Sequence, residues 1–165
     1  MKKLLYLFLG LFLLAGCATT YHPAQPSPDE IVIVKSDRKM FLLHDNKIIK
    51  TYDVNLGQNP YGHKQKRGDM RTPEGEYYID GRNPYSEFYL SLHISYPDRE
   101  DRENAKERDH DPGDHIVIHG MRGRGTRGDF RQAGDWTEGC IAVTNADMHE
   151  IYHWVDVGTP ITIYP

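Results

Sequence analysis

Short apolar runs with alternating polar positions dominate the chain from Glu30 onward. Apolar runs of about four to eight residues that partly alternate with polar ones are typical of β-strands. A pair of turn residues, Asp45 and Asn46, separates two of these runs and predicts a hairpin. Short strands divided by turns predict a mostly β fold of the sandwich or barrel type. The predicted strands cover residues 31–35, 39–44, 47–54, 75–80, 88–95, 115–119, 140–144 and 161–164.

Two segments have patterns that fit helices better than strands. Asp98–Asp111 is dense in charges of both signs, and Arg99 and Glu103 have the i,i+4 spacing that supports an exposed helix. Asn145 can cap a second helix near the end of the chain. We therefore predict one or two small helices. The apolar stripe expected to pack the second helix on the core consists of Met148, Ile151, Tyr152 and Val155.

The N-terminus has the features of an exported lipoprotein. Two lysines precede an uncharged apolar run at 4–15, which is shorter than the about 20 residues of a transmembrane helix. Leu14–Cys17 resembles a bacterial lipobox, so we predict a signal peptide at 1–16 and a lipid on Cys17. An ordinary signal peptide with an incidental cysteine is the alternative. Residues 17–29, with three prolines, then form an extended tether, and residues 30–165 form the folded domain.

The predicted lipid also sets the expected location and the state of the cysteines. Ala18 after Cys17 resembles outer-membrane sorting, so we expect a lipid-anchored protein on the periplasmic side of the cell envelope. An acylated Cys17 cannot form a disulfide, which leaves Cys140 as a single free thiol in an oxidising compartment. The formal net charge of −4 argues against nucleic-acid binding, which needs a basic surface.

A cysteine and a histidine carry the candidate chemistry. Cys140 follows a Thr-x-Gly turn and precedes an apolar run, and His119 ends another apolar run. A cysteine nucleophile needs a base, because the thiolate attacks rather than the thiol. A buried structural cysteine is the simpler reading of Cys140 alone. Alternation places His115 and His119 on one strand face, so a zinc site with Cys140 is a further alternative, although the close ligand pairs of zinc motifs are missing.

The spacing of these residues resembles the catalytic domain of the L,D-transpeptidases, cysteine enzymes that act on peptidoglycan stem peptides. The matching motif is His119-Gly120, then Thr137–Ile141 with the sequence TEGCI, then Asn145. The stretch DMRTPEGEY at 69–77 and the closing VGTPITI also match family patterns. Two positions differ, because Glu138 stands where most members have histidine and Ala142 where many have arginine.

The resemblance implies roles for individual residues. Cys140 would form a thioester with the stem peptide, His119 would act as base and then acid, and the Gly120 carbonyl would orient the imidazole. The backbone N–H groups of Gly139 and Cys140 would stabilise the oxyanion. No metal or cofactor is implied. The residues expected to contact the stem peptide are His93, Arg122, Arg124, Arg127, Thr137, Glu138 and Asn145.

Several functions remain open at the level of the sequence. The acyl acceptor can be an amine, which gives cross-linking or exchange, or water, which gives an L,D-carboxypeptidase. A wall-binding lipoprotein without turnover would keep the same fold. A papain-like endopeptidase fits less well, because there the cysteine precedes the histidine in sequence.

Overall fold

The computed structural model describes residues 26–123 and 134–165. In these residues the chain forms eight strands and two helices. No helix among them is long and apolar enough to cross a membrane. Cys17 and residues 1–25 lie outside the described residues, as do Arg124 and Arg127. The elements are β1 Glu30–Val34, β2 Lys39–His44, β3 Lys47–Asp53, β4 Gly75–Asn83, β5 Ser91–Ile94, α1 Arg99–Glu107, β6 Val117–His119, β7 Ile141–Ala142, α2 Asn145–Trp154 and β8 Pro160–Tyr164.

The strands form one curled sheet in the order β3-β2-β1-β8-β4-β5-β6-β7. Neighbouring strands are antiparallel except for β1 with β8 and β6 with β7. The predicted mostly β fold with one or two small helices is therefore confirmed. The final strand closes the core by inserting between β1 and β4, so the C-terminal segment holds the two halves of the sheet together.

The hairpin between β2 and β3 forms where it was predicted. Asp45 and Asn46 have φ angles of 50° and 59°, as a tight two-residue hairpin turn requires. The inward side chains of these strands join one continuous core, and α2 contacts β5 and β6. The predicted stripe packs as expected at three positions, where Met148, Ile151 and Val155 are fully buried.

Some predicted boundaries were wrong. The strand predicted at 88–95 begins only at Ser91, and the one predicted at 140–144 shrinks to Ile141–Ala142. His115 does not belong to β6, because its φ of 64° turns the chain before Val117. Thr144 rather than Asn145 caps α2: its hydroxyl accepts a hydrogen bond from the Asp147 N–H.

The charged segment forms α1, which is docked on the domain rather than fully solvated. Asp98 caps the helix through a capping box with Asp101. Asp101 is buried. Its carboxylate accepts a hydrogen bond from the Tyr77 hydroxyl at 3.1 Å and pairs with His63 Nε2 at 2.9 Å. The predicted Arg99–Glu103 pair is present at 3.8 Å on the exposed face. The buried Asp101 and Ala105 thus attach a highly charged helix to the rest of the domain.

A buried lysine connects the end of β1 to the loop between β3 and β4. Lys35 is 2% exposed, and its Nζ donates to the carbonyls of Gly62 and Thr72 and to Glu74. Burial lowers the pKa of Lys35, and the Glu74 carboxylate opposes this effect. A buried ammonium needs such partners, because a charge without them is costly inside a protein.

We predict that Lys35→Ala lowers the free energy of unfolding by about 3 kcal/mol, because two carbonyls and a carboxylate lose their partner. Urea unfolding followed by circular dichroism measures the change as a lower midpoint. The control is Lys39→Ala, which removes the exposed ion pair of Lys39 with Asp53 and should change stability by less than about 1 kcal/mol. Equal losses in the two variants would contradict the assigned role of Lys35.

Candidate active site

The pairing of β6 with β7 brings the predicted base and nucleophile to one face of the sheet. His119 pairs with Ala142 and Ile118 with Ile141 in parallel register, so Cys140 lies beside Val117. Alternation along the strands turns Ile118 and Ile141 into the core and places His119 and Cys140 on the opposite face. Standard strand spacings put their Cα atoms roughly 8 Å apart, a separation that a thiol and an imidazole can bridge.

His119 is buried and held in one orientation. The side chain is 3% exposed, and its Nδ1 lies 2.6 Å from the carbonyl oxygen of Gly120. A carbonyl can only accept, so Nδ1 carries the hydrogen and Nε2 keeps its lone pair in the neutral ring. The rings of Phe88 and Trp136 pack on the imidazole at centroid distances of 4.7 and 5.7 Å. These contacts fix the orientation and the tautomer of the imidazole.

The Cys140 thiol is free, partly buried and already engaged by the neighbouring backbone. Its Sγ donates to the carbonyl of His115 at 3.7 Å, and the Val117 N–H points at the sulfur. The left-handed turn at His115 directs that carbonyl toward the thiol. Residues in such sparsely populated conformations are frequent at functional sites.

The pKa shifts of Cys140 and His119 favour a neutral thiol and a neutral imidazole in the free protein. Burial raises the pKa of the Cys140 thiol, and the Val117 N–H only partly opposes this. Burial also lowers the pKa of His119, although its contact with the Gly120 carbonyl acts in the other direction. Both shifts disfavour a thiolate–imidazolium ion pair and favour the neutral thiol beside the neutral imidazole.

A compact turn of residues 135–140 presents Cys140, and we call it the nucleophile loop after the predicted role of this cysteine. The Thr137 hydroxyl donates to the Cys140 carbonyl at 2.6 Å and accepts from the Gly139 N–H at 3.1 Å. Gly139 has a φ of 129°, and a Cβ there would lie 2.5 Å from the Arg71 carbonyl oxygen, so only glycine fits. The Gly139 N–H predicted to stabilise the oxyanion is therefore engaged by Thr137. Of the two predicted donors, the Cys140 N–H is the better candidate.

Two residues predicted to contact the stem peptide instead support the site from within. Thr137 is buried in the loop it organises. Asn145 is 1% exposed, and its Oδ1 accepts from the Met121 N–H at 2.6 Å. The same oxygen would lie 2.4 Å from a Cβ at Gly120, so it packs against the residue that orients His119. Burial makes Asn145 a support of the histidine strand rather than part of an open groove.

Three other predicted contact residues, His93, Glu138 and Arg122, lie nearer the surface. His93 sits across Val117 from Cys140, and its Nδ1 is 2.5 Å from Asp80. A β-bulge between Ile79 and Gly81 turns Asp80 toward it. Glu138 is exposed beside the thiol. Arg122 is exposed as well and lies over the Phe88 ring at 5.5 Å.

The zinc alternative finds no support in residues 26–123 and 134–165, where no group of three or more His, Cys, Asp or Glu side chains is arranged to hold a metal.

Sequence reasoning missed Phe88, Trp136, Asp80 and the His115 carbonyl. Trp136 directly precedes the Thr-x-Gly-Cys motif, so its position in the sequence could have indicated that it belongs to the site. The others depend on a bulge and a turn that periodicity does not reveal.

The fold and this site agree with the comparison against known families. The family model described as the L,D-transpeptidase catalytic domain, YkuD, matches residues 28–163. The chain belongs to this family.

The individual relatives have low sequence identity to this chain, between 25% and 28%. YafK of Escherichia coli strain K12, a candidate L,D-transpeptidase by name, is 28% identical over 153 residues, covering 84% of this chain and 54% of YafK. Bd1075 of Bdellovibrio bacteriovorus has a TM-score of 0.56 and 26% identity over 84% of this chain and 48% of that structure. A variant of Pgp2, the helical cell shape determining protein of Campylobacter jejuni, has a TM-score of 0.61 and 25% identity over 83% and 47%. The chain spans about half the length of these relatives.

We predict that alkylation of Cys140 by iodoacetamide is slow at neutral pH and rises through a midpoint above about 8.5, the value of an ordinary thiol. The raised pKa of Cys140 leaves little thiolate below that midpoint. Initial rates between pH 6 and 10, followed by mass spectrometry, give the midpoint. The urea-unfolded chain is the control and should return to the ordinary value. A rate that is already maximal at pH 6 would show a preformed ion pair and refute the neutral pair.

Proposed function

We propose that this protein is a peptidoglycan-modifying cysteine acyl transferase that acts on L,D amide bonds of stem peptides. The observation that carries the proposal is the buried His119, fixed by the Gly120 carbonyl on the same sheet face as Cys140. Membership of the L,D-transpeptidase catalytic domain family supports the substrate class. Isolated cysteine–histidine pairs are common, but this orientation of the imidazole is what general base catalysis on a thiol requires.

The first half-reaction forms a thioester. His119 Nε2 takes the proton of Cys140 as Sγ attacks the carbonyl carbon of the amide, and the Cys140 N–H stabilises the oxyanion. The carbon–nitrogen bond then breaks, and the proton on Nε2 passes to the departing amine. The acyl group of the stem peptide remains on sulfur, and His119 is neutral again.

The second half-reaction transfers the acyl group. An acceptor amine loses a proton to His119 and attacks the thioester carbon, and the carbon–sulfur bond breaks as the proton returns to Cys140. With water as acceptor the same steps give an L,D-carboxypeptidase. Both reactions use the same residues, so the acceptor has to be identified by experiment.

The arginines that lie between His119 and Cys140 in the sequence suit an acidic, peptide-like substrate. Arg122, Arg124 and Arg127 belong to the loop that joins His119 to Cys140, and guanidinium groups suit the carboxylates of stem peptides. His93 and Glu138 border the thiol on the exposed side. We propose these five residues as the substrate-contacting set.

We predict that Cys140→Ser abolishes the thioester, while His119→Ala lowers the acylation rate by about 10²- to 10⁴-fold. A serine hydroxyl is far less acidic than a thiol, whereas the His119→Ala variant keeps a small thiolate fraction that increases with pH. Mass spectrometry of the purified protein with stem-peptide digests detects both the adduct and the products. Surface variant Arg67→Ala is the control, because its ion pair with Asp111 is solvent-exposed.

Product analysis in the same experiment separates the possible activities. A cross-linked or exchanged product identifies an amine acceptor, and a shortened stem peptide identifies water. Turnover that survives Cys140→Ser would refute the cysteine mechanism. Stem-peptide binding to wild-type protein without any adduct would indicate the wall-binding lipoprotein.

We also propose that the protein is anchored in the cell envelope through a lipid on Cys17, on the periplasmic side of the outer membrane. We predict that Cys17→Ser releases the domain from the membrane fraction, because the lipobox residues Leu14–Cys17 can no longer be processed. Cell fractionation with and without detergent measures the release. Thr19→Ser, which leaves the lipobox intact, should remain membrane-bound. Unchanged membrane association of Cys17→Ser would refute the lipid anchor.

A further inference from the structure

We propose that Arg38 and Asp135 are positioning residues that fix the nucleophile loop, and with it Cys140, for acyl transfer. Arg38 lies in the turn between β1 and β2, and Asp135 is the first residue of the loop. The acyl-transfer part of this inference rests on the proposed function. The position and reactivity of the Cys140 thiol can be measured without it.

Both carboxylate oxygens of Asp135 have partners. Arg38 donates to Oδ2 from Nη2 at 2.7 Å and from Nε at 3.2 Å. The Leu56 N–H donates to Oδ1 at 2.9 Å. Asp135 is only 11% exposed, so solvent screens this ion pair less than an open surface pair. The carboxylate therefore joins the turn after β1 and the segment after β3 to the start of the nucleophile loop.

A continuous set of hydrogen bonds extends from this ion pair to the nucleophile. The Thr137 N–H donates to the Leu56 carbonyl at 3.1 Å, next to the Leu56 N–H that binds Asp135. The Thr137 hydroxyl then donates to the Cys140 carbonyl at 2.6 Å. Beyond the thiol, Asn55 and Ala142 exchange two backbone bonds of 2.9 Å. The segment 55–58 thus supports the loop on both sides of Cys140.

The backbone of Arg38 supports a role for its side chain. Arg38 has a φ of 52°, a conformation that glycine, asparagine or aspartate adopts more readily. Its carbonyl accepts from the Val54 N–H at 2.9 Å, which fixes the turn against the end of β3. The guanidinium also takes part in the turn, because its Nη1 donates to the Lys35 carbonyl at 2.8 Å. Its Nε and Nη2 extend from the turn to Asp135.

A neighbouring ion pair provides the comparison. Lys39 follows Arg38 directly and pairs with Asp53 on the next strand, but both side chains are exposed and neither contacts the nucleophile loop. Removing the Lys39–Asp53 pair takes away one ion pair from the same hairpin. It leaves every bond between the hairpin and residues 135–140 in place.

The test compares Arg38→Ala, Arg38→Lys and Asp135→Asn with Lys39→Ala. We expect Arg38→Ala and Asp135→Asn to lower kcat for acyl transfer by roughly 10- to 100-fold with little change in KM, because a small displacement of the nucleophile has an effect of this size. Arg38→Lys keeps the charge but not the planar fork, so it should recover part of the rate. Lys39→Ala should match the wild type.

A second measurement distinguishes positioning from general loss of stability. Iodoacetamide alkylation of Cys140 needs no stem peptide, and loosening of the loop should expose the thiol. Alkylation at pH 7.5 should therefore become faster in Arg38→Ala and Asp135→Asn while acyl transfer becomes slower, and the pH midpoint should move down toward that of an ordinary thiol. Ile33→Val, a core variant beside the same turn, reports what lower stability alone does.

The two measurements also separate this inference from the proposed function. An unchanged pH midpoint of alkylation in Arg38→Ala and Asp135→Asn would refute the positioning role, as would changes that Ile33→Val reproduces at equal melting temperature. Should Arg38→Ala fail to fold, Arg38→Lys gives the same comparison. Absence of acyl transfer in the wild type, together with the expected shift in alkylation, would reject the proposed function and retain the positioning role.

Discussion

The site depends on the register between the two short parallel strands β6 and β7. Since His119 pairs with Ala142, both candidate reactive side chains emerge on the face opposite the core. A slip of one residue would turn Cys140 into the core and expose Ile141. Burial of Ile118, Ile141 and Val143 disfavours such a slip, because it would turn apolar side chains away from the core. The hydrophobic core thus helps to determine which side chains of these strands face the polar site.

Such short strands cannot hold the site alone, and the surrounding loops complete it. Three ion pairs of a cation with a carboxylate fasten these loops: Lys35 with Glu74, Lys64 with Asp69, and Arg38 with Asp135. Lys35 and Lys64 are buried, and each also donates to backbone carbonyls. Buried ion pairs are weak evidence for stability because desolvation offsets the attraction. Their partners here are loop segments without regular structure, so the pairs specify one loop conformation among many.

Much of the fold could be predicted because the sequence pattern is local. The Asp45-Asn46 turn, the alternating strands and the stripe of α2 each follow from spacing within a few residues. The errors occur where long-range contacts decide. Thr144 replaces Asn145 as the helix cap because Asn145 is drawn into the support of Gly120 and Met121. His115 leaves its predicted strand because its backbone turns toward Cys140.

The candidate site likewise contains residues that a local sequence motif indicates and residues that only long-range contacts bring together. Cys140, His119 and Gly120 could be proposed from a motif, since the residues that define them are close in sequence or regularly spaced. Arg38 could not, because nothing near it in sequence indicates that its partner lies at position 135. The sequence motif indicates the candidate reactive groups, whereas the hydrogen bonds around them are distributed over the β1–β2 turn, residues 55–58 and the nucleophile loop. A local motif can therefore indicate the candidate groups, but their surroundings depend on contacts between segments that are far apart in the sequence.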